Sequence, residues 1–424
     1  MAIAIMFLLM FLFFAIGVPI GISLILPCFI LLLMDPLTSP EFLAQTLFTG
    51  TASFTMIALP FFMICGNIMD IGGISKRLVR VAKACVGNVT GSLGMVAILA
   101  CMFFGAVSGS AVATVAAIGI IMIPEMVRNG YDKYYATGLC AVAGGLGIIV
   151  PPSYPMVIYG VTNNESIGKL FIAGIIPALV VGLILMIVNF FYCKKRNIKG
   201  TNKFSVRELV KAFWAAKLAL LMPVIILGGI YGGIFTATEA AVVATVYGII
   251  VGVFVYREVS FKNLWRMFAE MTTFSGGMML TVAPAAALST VFAYLGVTKS
   301  IAAFFMSMTT SPIVILLLVF VILFIIGMFV QTTPAIVIFS PVLLAVVSQI
   351  GISTLHFGII MTVALALAFV TPPVCANIFV AQTMTGLSMD KIVKSSIPFV
   401  VALSIALLII MFSPWMSELL PKIL

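Results

Sequence analysis

The chain has 424 residues, of which 63% are hydrophobic and 8% are charged, and its formal net charge is +10. Soluble domains carry roughly 25% charged residues, so a water-soluble globular protein is excluded. The basic residues lie in short segments between long apolar runs, which is the charge asymmetry of membrane proteins and not the pattern of a nucleic-acid-binding surface.

Apolar segments of about 20 residues predict membrane spans. In the first half we expect a pair of spans, a third span, a re-entrant helical hairpin that returns to its own side, a broken span and a final span. In chain order these are residues 3–16, 20–34, 52–70, 91–127, 134–161 and 168–192. Residues 3–34 could alternatively form one long tilted helix.

The second half repeats this order after a polar stretch. Residues 193–217 predict a cytoplasmic amphipathic linker helix, because apolar residues recur at helical spacing among basic ones. The following segments are 218–235, 238–256, 271–294, the hairpin 304–347, and then 357–385 and 396–416. The sequence therefore predicts a first repeat over 1–192, a linker over 193–217 and a second repeat over 218–424.

One motif occurs in both halves. Gly105 and Gly327 lie 222 positions apart, each before small and hydroxyl residues, and the pairs Pro151-Pro152 and Pro372-Pro373 lie 221 positions apart. Interrupted apolar segments at matching positions of two halves indicate a transporter's binding site. For either motif alone, close helix packing and proline kinks account for the residues equally well, but their repetition favours a site.

The charge distribution predicts how the halves are oriented. Each half would cross the membrane five times, an odd number, so the two repeats would have inverted topology. If the linker is cytoplasmic, 19 of the 22 Lys and Arg residues lie on that side, and only Lys169, Lys299 and Lys422 lie opposite. This agrees with the positive-inside rule and places both termini outside.

A helix broken at membrane depth offers carbonyl groups at one end of the break and N–H groups at the other. Carbonyl oxygens suit a cation, and N–H groups attract an anionic substrate. The first hairpin tip supplies the Ser108 and Ser110 hydroxyls, and the break between Gly144 and Ser153 supplies carbonyls because proline lacks an N–H. The second copy would use Gly327, Gln331, Thr332 and Thr333 against Thr371, Pro372, Pro373 and Asn377.

This arrangement predicts two cation sites with the substrate between the hairpin tips. The residues expected to contact substrate are Ser110, Ser153, Gln331, Thr332 and Asn377. No dinucleotide fingerprint, Walker A motif, nucleophile elbow or HExxH motif is present in the sequence, so we do not expect an enzyme. The single histidine, His356, lies in a short polar segment and is expected to be structural.

The motifs resemble the large membrane subunit of tripartite ATP-independent periplasmic (TRAP) transporters, the DctM-like family, and we expect its sialic acid branch. The resemblance rests on Phe103-Phe104-Gly105 through Ile118-Gly119, on Gly147-Ile148-Ile149-Val150-Pro151-Pro152-Ser153, and on Thr236-Ala237-Thr238-Glu239-Ala240-Ala241. It implies an elevator-type mechanism, Na⁺ coupling, a small four-helix (DctQ-like) membrane subunit, a periplasmic substrate-binding protein and the bacterial inner membrane.

The resemblance also implies which residues border Na⁺. One ion would lie among Ser108, Ser110, Gly147, Val150 and Pro152, and the other among Gly327, Thr332, Thr333, Thr371 and Pro373. The expected function is Na⁺-coupled import of an organic acid, with sialic acid preferred. The alternatives are a C4-dicarboxylate TRAP subunit, a stand-alone divalent-anion/Na⁺ symporter, a channel and a purely structural membrane subunit.

Overall fold

The computed structural model describes residues 2–33, 40–52, 54–200, 205–309 and 311–423. In these ranges the regular secondary structure is helical throughout. Nine of the described helices are long and apolar enough to cross a membrane, or ten if a helix pair bent by 42° counts as one span. The prediction of an all-α, multi-pass membrane protein is therefore confirmed.

The helices follow one another in two series. Those of the first half are α1 (Ala2–Ala15), α2 (Ile20–Leu33), α3 (Pro40–Thr51), α4 (Ala58–Ile71), α5 (Ile74–Val86), α6 (Ser92–Ser108), α7 (Ala111–Arg128), α8 (Lys133–Ala143), α9 (Leu146–Ile149), α10 (Tyr154–Thr162) and α11 (Ile167–Lys195). Those of the second half are α12 (Val206–Tyr231), α13 (Ala237–Ile249), α14 (Phe261–Tyr294), α15 (Val297–Met308), α16 (Pro312–Phe329), α17 (Thr332–Val347), α18 (Thr354–Ala368), α19 (Ala376–Thr385), α20 (Met389–Met411) and α21 (Trp415–Ile423).

The order of the helices is similar in the two series. Helices α1 and α2 match α12 and α13, the hairpin α6–α7 matches α16–α17, the broken span α8–α10 matches α18–α19, and α11 matches α20. In the third-span position, α3 and α4 match the single long helix α14. Polar N-caps begin several of these helices, such as Ser110 before α7 and Asp132 before α8.

Contacts between the halves are exchanged in pairs. Helix α2 packs against α14 while α13 packs against α4, and α10 packs against α17 while α19 packs against α7. In the same way, α8 packs against α20 and α18 against α11. Such an exchange is what a two-fold relation between two units produces, because each contact then occurs twice with the partners swapped.

Several element boundaries differ from those expected. The linker does not end at residue 217: α12 runs without interruption from Val206 to Tyr231 because helix-forming Ala, Leu and Lys residues continue across that position. Helix α14 begins at Phe261 rather than at 271, and residues 304–308 belong to α15 rather than to the second hairpin. Residues 3–33 form two helices, and residue 34, the predicted end of the second span, lies outside the described residues.

Helix α5 lies between the predicted spans 52–70 and 91–127, and its basic side chains contact two other regions. Arg77 pairs with Glu258 at 2.9 Å, between α13 and α14, and its guanidinium lies 3.7 Å from the centre of the Tyr256 ring. Lys83 contacts both carboxylate oxygens of Glu125 on α7, at 2.5 and 2.7 Å. The opposite face of α5 is apolar and buried.

Helix α21 is hydrogen-bonded to the start of α18. His356 is fully buried in the first turn of α18 rather than in a polar loop, with its ring nitrogens 3.1 Å from Ser417 Oγ and 3.3 Å from the Met411 carbonyl oxygen. Ser353 donates a 2.6 Å hydrogen bond to Glu418. Hydrogen bonds from Lys422 and from Ser353 hold the pKa of Glu418 below its ordinary value.

We predict that the Lys83–Glu125 pair couples α5 to the first hairpin more strongly than an open surface pair. The Lys83 and Glu125 side chains are 30% and 31% exposed, whereas those of Lys211 and Glu208 are 51% and 54% exposed. A double-mutant cycle of Lys83→Met and Glu125→Met, followed by thermal unfolding in detergent, should give a coupling energy of about 1 kcal/mol.

The same cycle on Lys211 and Glu208 should give about 0.3 kcal/mol, since both groups remain well hydrated. The charge-swapped variant Lys83→Glu/Glu125→Lys should recover most of the loss caused by either single change. Equal coupling energies for the two pairs would contradict the prediction.

Candidate cation and substrate site

The tip of the first hairpin is a compact group of hydroxyl and carbonyl oxygens. Helix α6 ends at Ser108, Gly109 takes a left-handed conformation with φ +61°, and Ser110 caps α7. The Ser108 hydroxyl lies 3.2 Å from that of Thr114, and Thr114 donates a 2.7 Å hydrogen bond to the Ser110 carbonyl oxygen. Glycine suits the turn because a left-handed residue with a Cβ is strained.

The first break leaves the Gly147 carbonyl without a donor among the described residues. Pro151 and Pro152 have no N–H for the carbonyl groups four residues earlier, those of Gly147 and Ile148. The Ser153 hydroxyl donates to the Ile148 carbonyl and replaces one lost bond. Within the described residues, no hydrogen bond reaches the Gly147 carbonyl.

Glycines bring the hairpin tip directly onto the break. A Cβ at Gly105 would lie 2.9 Å from Gly147 Cα, and one at Gly147 would lie 2.3 Å from Thr114 Oγ1 and 2.5 Å from the Ser110 carbonyl oxygen. A Cβ at Gly109 would lie 2.9 Å from the Pro152 carbonyl oxygen. These distances are too short for any side chain, so the tip and the break meet backbone to backbone.

The second hairpin meets its break at the corresponding place. A Cβ at Gly327 would lie 2.3 Å from the Ala368 Cβ, and Ala368 corresponds to Gly147 in the repeat. However, the second tip has Val330 and Ile336 where the first has hydroxyls at Ser108 and Thr114. Its remaining hydroxyls, Thr332 and Thr333, lie on the first turn of α17.

The second break satisfies the carbonyl groups that its prolines release. The Ala368 carbonyl accepts a 3.0 Å bond from the Thr371 N–H, and the Phe369 carbonyl accepts a 3.1 Å bond from the Asn377 N–H. The Thr371 hydroxyl donates to the Leu367 carbonyl at 2.9 Å. The two hydrogen bonds lost at the prolines are therefore replaced within the second break, whereas the bond to the Gly147 carbonyl is not replaced in the first.

Asn377 connects the two breaks. Its side chain is fully buried, and its Nδ2 donates a 3.0 Å hydrogen bond to the Ala141 carbonyl oxygen on α8. Its Oδ1 is buried without a hydrogen-bond partner among the described residues. The predicted substrate contact at Asn377 stays a prediction; in this structure the residue lies between helices, and its amide oxygen is the unpaired atom.

The two copies differ in exposure. Ser108 is 6% exposed, Ser153 is 1% exposed, and Gly147 and Pro152 are buried, whereas Gln331, Pro372 and Pro373 are exposed. Thr332 is buried, and the side chain of Tyr154, from the N-terminal end of α10, lies beside it. The structure thus brings the predicted residues of the first copy together in the interior and leaves much of the second copy open.

Thr114 and Tyr154 belong to this region and were not predicted. Thr114 lies one helical turn after Ser110, a spacing that could have identified it as part of the tip, because residues four apart share a helix face. The sequence carries no comparable signal for Tyr154. Its neighbour Thr332 is 178 positions away in the chain, and only the packing of α10 against α17 joins them.

The donor atoms of the first copy fit a small hard cation. They are hydroxyl and carbonyl oxygens, the ligands that such ions prefer. The described residues contain no group of three or more His, Cys, Asp or Glu side chains that could hold a metal ion, so the residues do not fit a transition-metal centre. The N-terminal ends of α7, α10 and α17 offer partial positive charge for an anion.

Comparison with known proteins identifies relatives along nearly the whole chain. The family model of the tripartite ATP-independent periplasmic transporter, DctM component, matches residues 7–416. The isethionate TRAP transporter permease protein DctMQ of Oleidesulfovibrio alaskensis is 41% identical over 95% of this chain, which spans 64% of that protein's length. The C4-dicarboxylate TRAP transporter large permease protein DctM of Pseudomonas aeruginosa is 39% identical over 92% of both chains.

Two further proteins extend the comparison. The sialic acid TRAP transporter large permease protein SiaM of Vibrio cholerae is 35% identical over 96% of this chain and 95% of its own. The crystal structure of the Alcanivorax borkumensis YdaH transporter, described as having an unusual topology, covers 88% of both chains with a TM-score of 0.65 and 13% identity. At that identity the similarity shows a shared fold.

We predict that Gly147→Ala disrupts this site. The new methyl group would overlap Thr114 Oγ1 and the Ser110 carbonyl oxygen, so the hairpin tip must separate from the break. Uptake by the assembled transporter should fall by roughly 100-fold or more, as expected for a displacement of about 1 Å at a site. Membrane insertion, measured by the amount of folded protein in the membrane fraction, should be unchanged.

Gly276→Ala on α14 is the matched control. A Cβ there meets nothing within 4 Å, so the same chemical change should leave uptake at the level of the unmodified protein. It should also raise stability by roughly 0.5–1 kcal/mol, because alanine is the better helix former. Uptake that survives Gly147→Ala would show that the close approach is not required.

Proposed function

Because this chain belongs to the DctM component family of tripartite ATP-independent periplasmic transporters, we propose that it carries a small organic acid across the membrane in a cycle driven by Na⁺. Its relatives are transporter permeases, so the expectation that the chain is not an enzyme is confirmed. The Na⁺ coupling, the substrate and the partners described below are the proposal.

The observation that carries the Na⁺ proposal is the Gly147 carbonyl. It is buried, lacks a donor among the described residues, and lies at a break that the Ser108–Thr114 hydroxyl pair directly covers. Leaving a carbonyl unpaired in an apolar interior costs several kcal/mol. A Na⁺ ion would satisfy it and draw the hydroxyls to the same point, with Ser110, Val150 and Pro152 supplying the nearby oxygens.

The second copy supports a weaker site. Thr332 and Thr333 would face Gly327, Thr371 and Pro373, but this tip lacks two of the hydroxyls found in the first, and its freed carbonyls are already bonded. We therefore propose two Na⁺ sites of unequal strength, with the first the tighter one. Bound cations would add positive charge beside the helix N-termini of α7 and α17, which makes the space between the tips attractive to an anion.

The substrate is proposed to be an organic anion held between Ser110, Ser153, Gln331 and Thr332. The relatives are described as transporters of isethionate, C4-dicarboxylates and sialic acid, which are all small organic anions. The preference for sialic acid stays a proposal, because the SiaM relative, at 35% identity, is less similar than the 41% and 39% relatives. Backbone dipoles that recognise one anionic group do not distinguish among these compounds.

The proposed working assembly contains three components. This chain would act with a small four-helix membrane subunit and a periplasmic binding protein in the bacterial inner membrane, with both termini periplasmic. The hairpins and broken helices would move against α1–α5 and α12–α15 as an elevator. The exchanged contacts between the halves support this, because a two-fold relation in the membrane plane gives the two inverted states equivalent packing.

We predict that uptake by proteoliposomes holding this chain and its partners requires both a Na⁺ gradient and the binding protein. Labelled sialic acid, a C4-dicarboxylate and isethionate would be compared in parallel. Uptake that persists after Na⁺ is replaced by K⁺ would contradict the coupling. Uptake by this chain alone would instead identify a stand-alone symporter, and flux far above about 10³ molecules per second would identify a channel.

A second prediction concerns the first cation site. Removal of hydroxyls by Ser108→Ala and Thr114→Val should raise the Na⁺ concentration for half-maximal uptake about tenfold or more, since a bond to a charged group contributes about 1.5–3 kcal/mol. Maximal uptake at saturating Na⁺ should change much less than this half-saturation value.

Thr273→Val on α14 is the matched control for Thr114→Val. The Thr273 hydroxyl donates to the Ala269 carbonyl four residues earlier, as Thr114 does to Ser110, but it is exposed and lies on a helix that forms neither break. Its Na⁺ dependence should equal that of the unmodified chain. An unchanged Na⁺ dependence in Ser108→Ala and Thr114→Val would remove this site from the proposal while leaving the family assignment intact.

A further inference from the structure

A cavity outside the candidate site lies between the C-terminal ends of α7 and α19. Its volume is about 430 Å³, and it is bordered by Ile120, Ile123, Arg128, Lys133, Met384 and Thr385. One wall is apolar and the rim carries two cations. None of these residues belongs to the hairpin tips or to the breaks.

Part of the apolar wall is exposed at the surface of the protein. Ile120 on α7 is 67% exposed, and Val127, one residue before the rim, is also exposed. Large apolar side chains left uncovered on a membrane-spanning helix contact acyl chains. The surface from Ile120 to Arg128 rises about 12 Å along the helix, at 1.5 Å per residue, and ends in a positive charge.

Neither cation of the rim forms an ion pair with a carboxylate of the described residues. Arg128 forms no ion pair with a described residue, and the Lys133 ammonium group donates a 3.1 Å hydrogen bond to the Thr385 carbonyl oxygen. Of the nearby acidic groups, Glu125 is paired with Lys83, and Asp132 caps α8 by accepting the Tyr135 N–H, so two cations stand against one unpaired carboxylate. The rim therefore presents net positive charge at the end of an apolar groove.

We propose that this cavity is a binding site for an anionic phospholipid. The headgroup phosphate would lie between Arg128 and Lys133, and an acyl chain would follow the groove past Ile123 and Ile120. Basic pockets between membrane helices at the headgroup level are suited to such lipids. Because α7 belongs to the first hairpin and α19 to the second broken span, the lipid would join elements of both repeats.

The test uses the full chain, purified with its small subunit in detergent and stripped of lipid. Thermal unfolding would be followed while phosphatidylglycerol, phosphatidylcholine or inorganic phosphate is added. Phosphatidylglycerol should raise the unfolding temperature at lower concentration than phosphatidylcholine, and inorganic phosphate should have no effect. The number of retained phosphatidylglycerol molecules would be counted by native mass spectrometry.

The variant Arg128→Gln/Lys133→Gln should weaken phosphatidylglycerol binding by about 25-fold, about fivefold for each cation lost near the headgroup. Lys76→Gln/Lys199→Gln is the matched control, since it removes the same charge from exposed residues away from the cavity and should bind as the unmodified chain does. Arg128→Lys/Lys133→Arg keeps both charges and should also keep binding, and Ile120→Asn should weaken it through the acyl wall.

Three results would overturn the proposal. Equal binding of phosphatidylglycerol to the Gln variant and to the unmodified chain would show that the cations do not form the site. Equal stabilisation by phosphatidylcholine would show that any acyl chain suffices. If inorganic phosphate stabilised the protein as much as phosphatidylglycerol does, and Ile120→Asn did not change this effect, the cavity would be a site for a soluble anion. None of these results depends on the transported substrate or on Na⁺.

Discussion

The structure depends on how two breaks in membrane-spanning helices satisfy their backbone. Each Pro-Pro pair removes two N–H groups, and an unpaired carbonyl inside an apolar protein costs several kcal/mol. The second break replaces both lost bonds with its own N–H groups, from Thr371 and Asn377. The first replaces only one, through the Ser153 hydroxyl, and the Gly147 carbonyl remains open beneath the hairpin tip.

This difference shows that the two copies of the motif are not equivalent. The offset between them predicts two matching sites, and the glycine contacts, Gly105 with Gly147 and Gly327 with Ala368, do match. The side chains around those contacts do not, because Val330 replaces the hydroxyl of Ser108. The two copies therefore share the close approach of hairpin and break but differ in the oxygens that surround it.

Sequence reasoning predicted the local features of this fold well. The breaks can be recognised in the sequence, since a proline pair beside several glycines cannot continue a regular helix through an apolar run. The predicted ends of the first broken span lie within one residue of the observed ends. Helix α5 and the full length of α12 were missed because basic residues are typical both of loops and of helices at a membrane surface. The burial of Asn377 against Ala141 could not be predicted, since it depends on which helices pack across the two halves.

Two contacts of the first hairpin differ in the free energy that is needed to separate them. Parting Gly105 from Gly147 would open a close backbone contact and expose the unbonded Gly147 carbonyl and the Ser108–Thr114 hydroxyls to hydrocarbon, which offers polar groups no hydrogen bonds. Parting Lys83 from Glu125 releases two partly exposed charged groups, which water can solvate again. In the proposed transport cycle, the hairpin and its break should therefore move as one body, and the surface along which they slide should pass between α5 and α7.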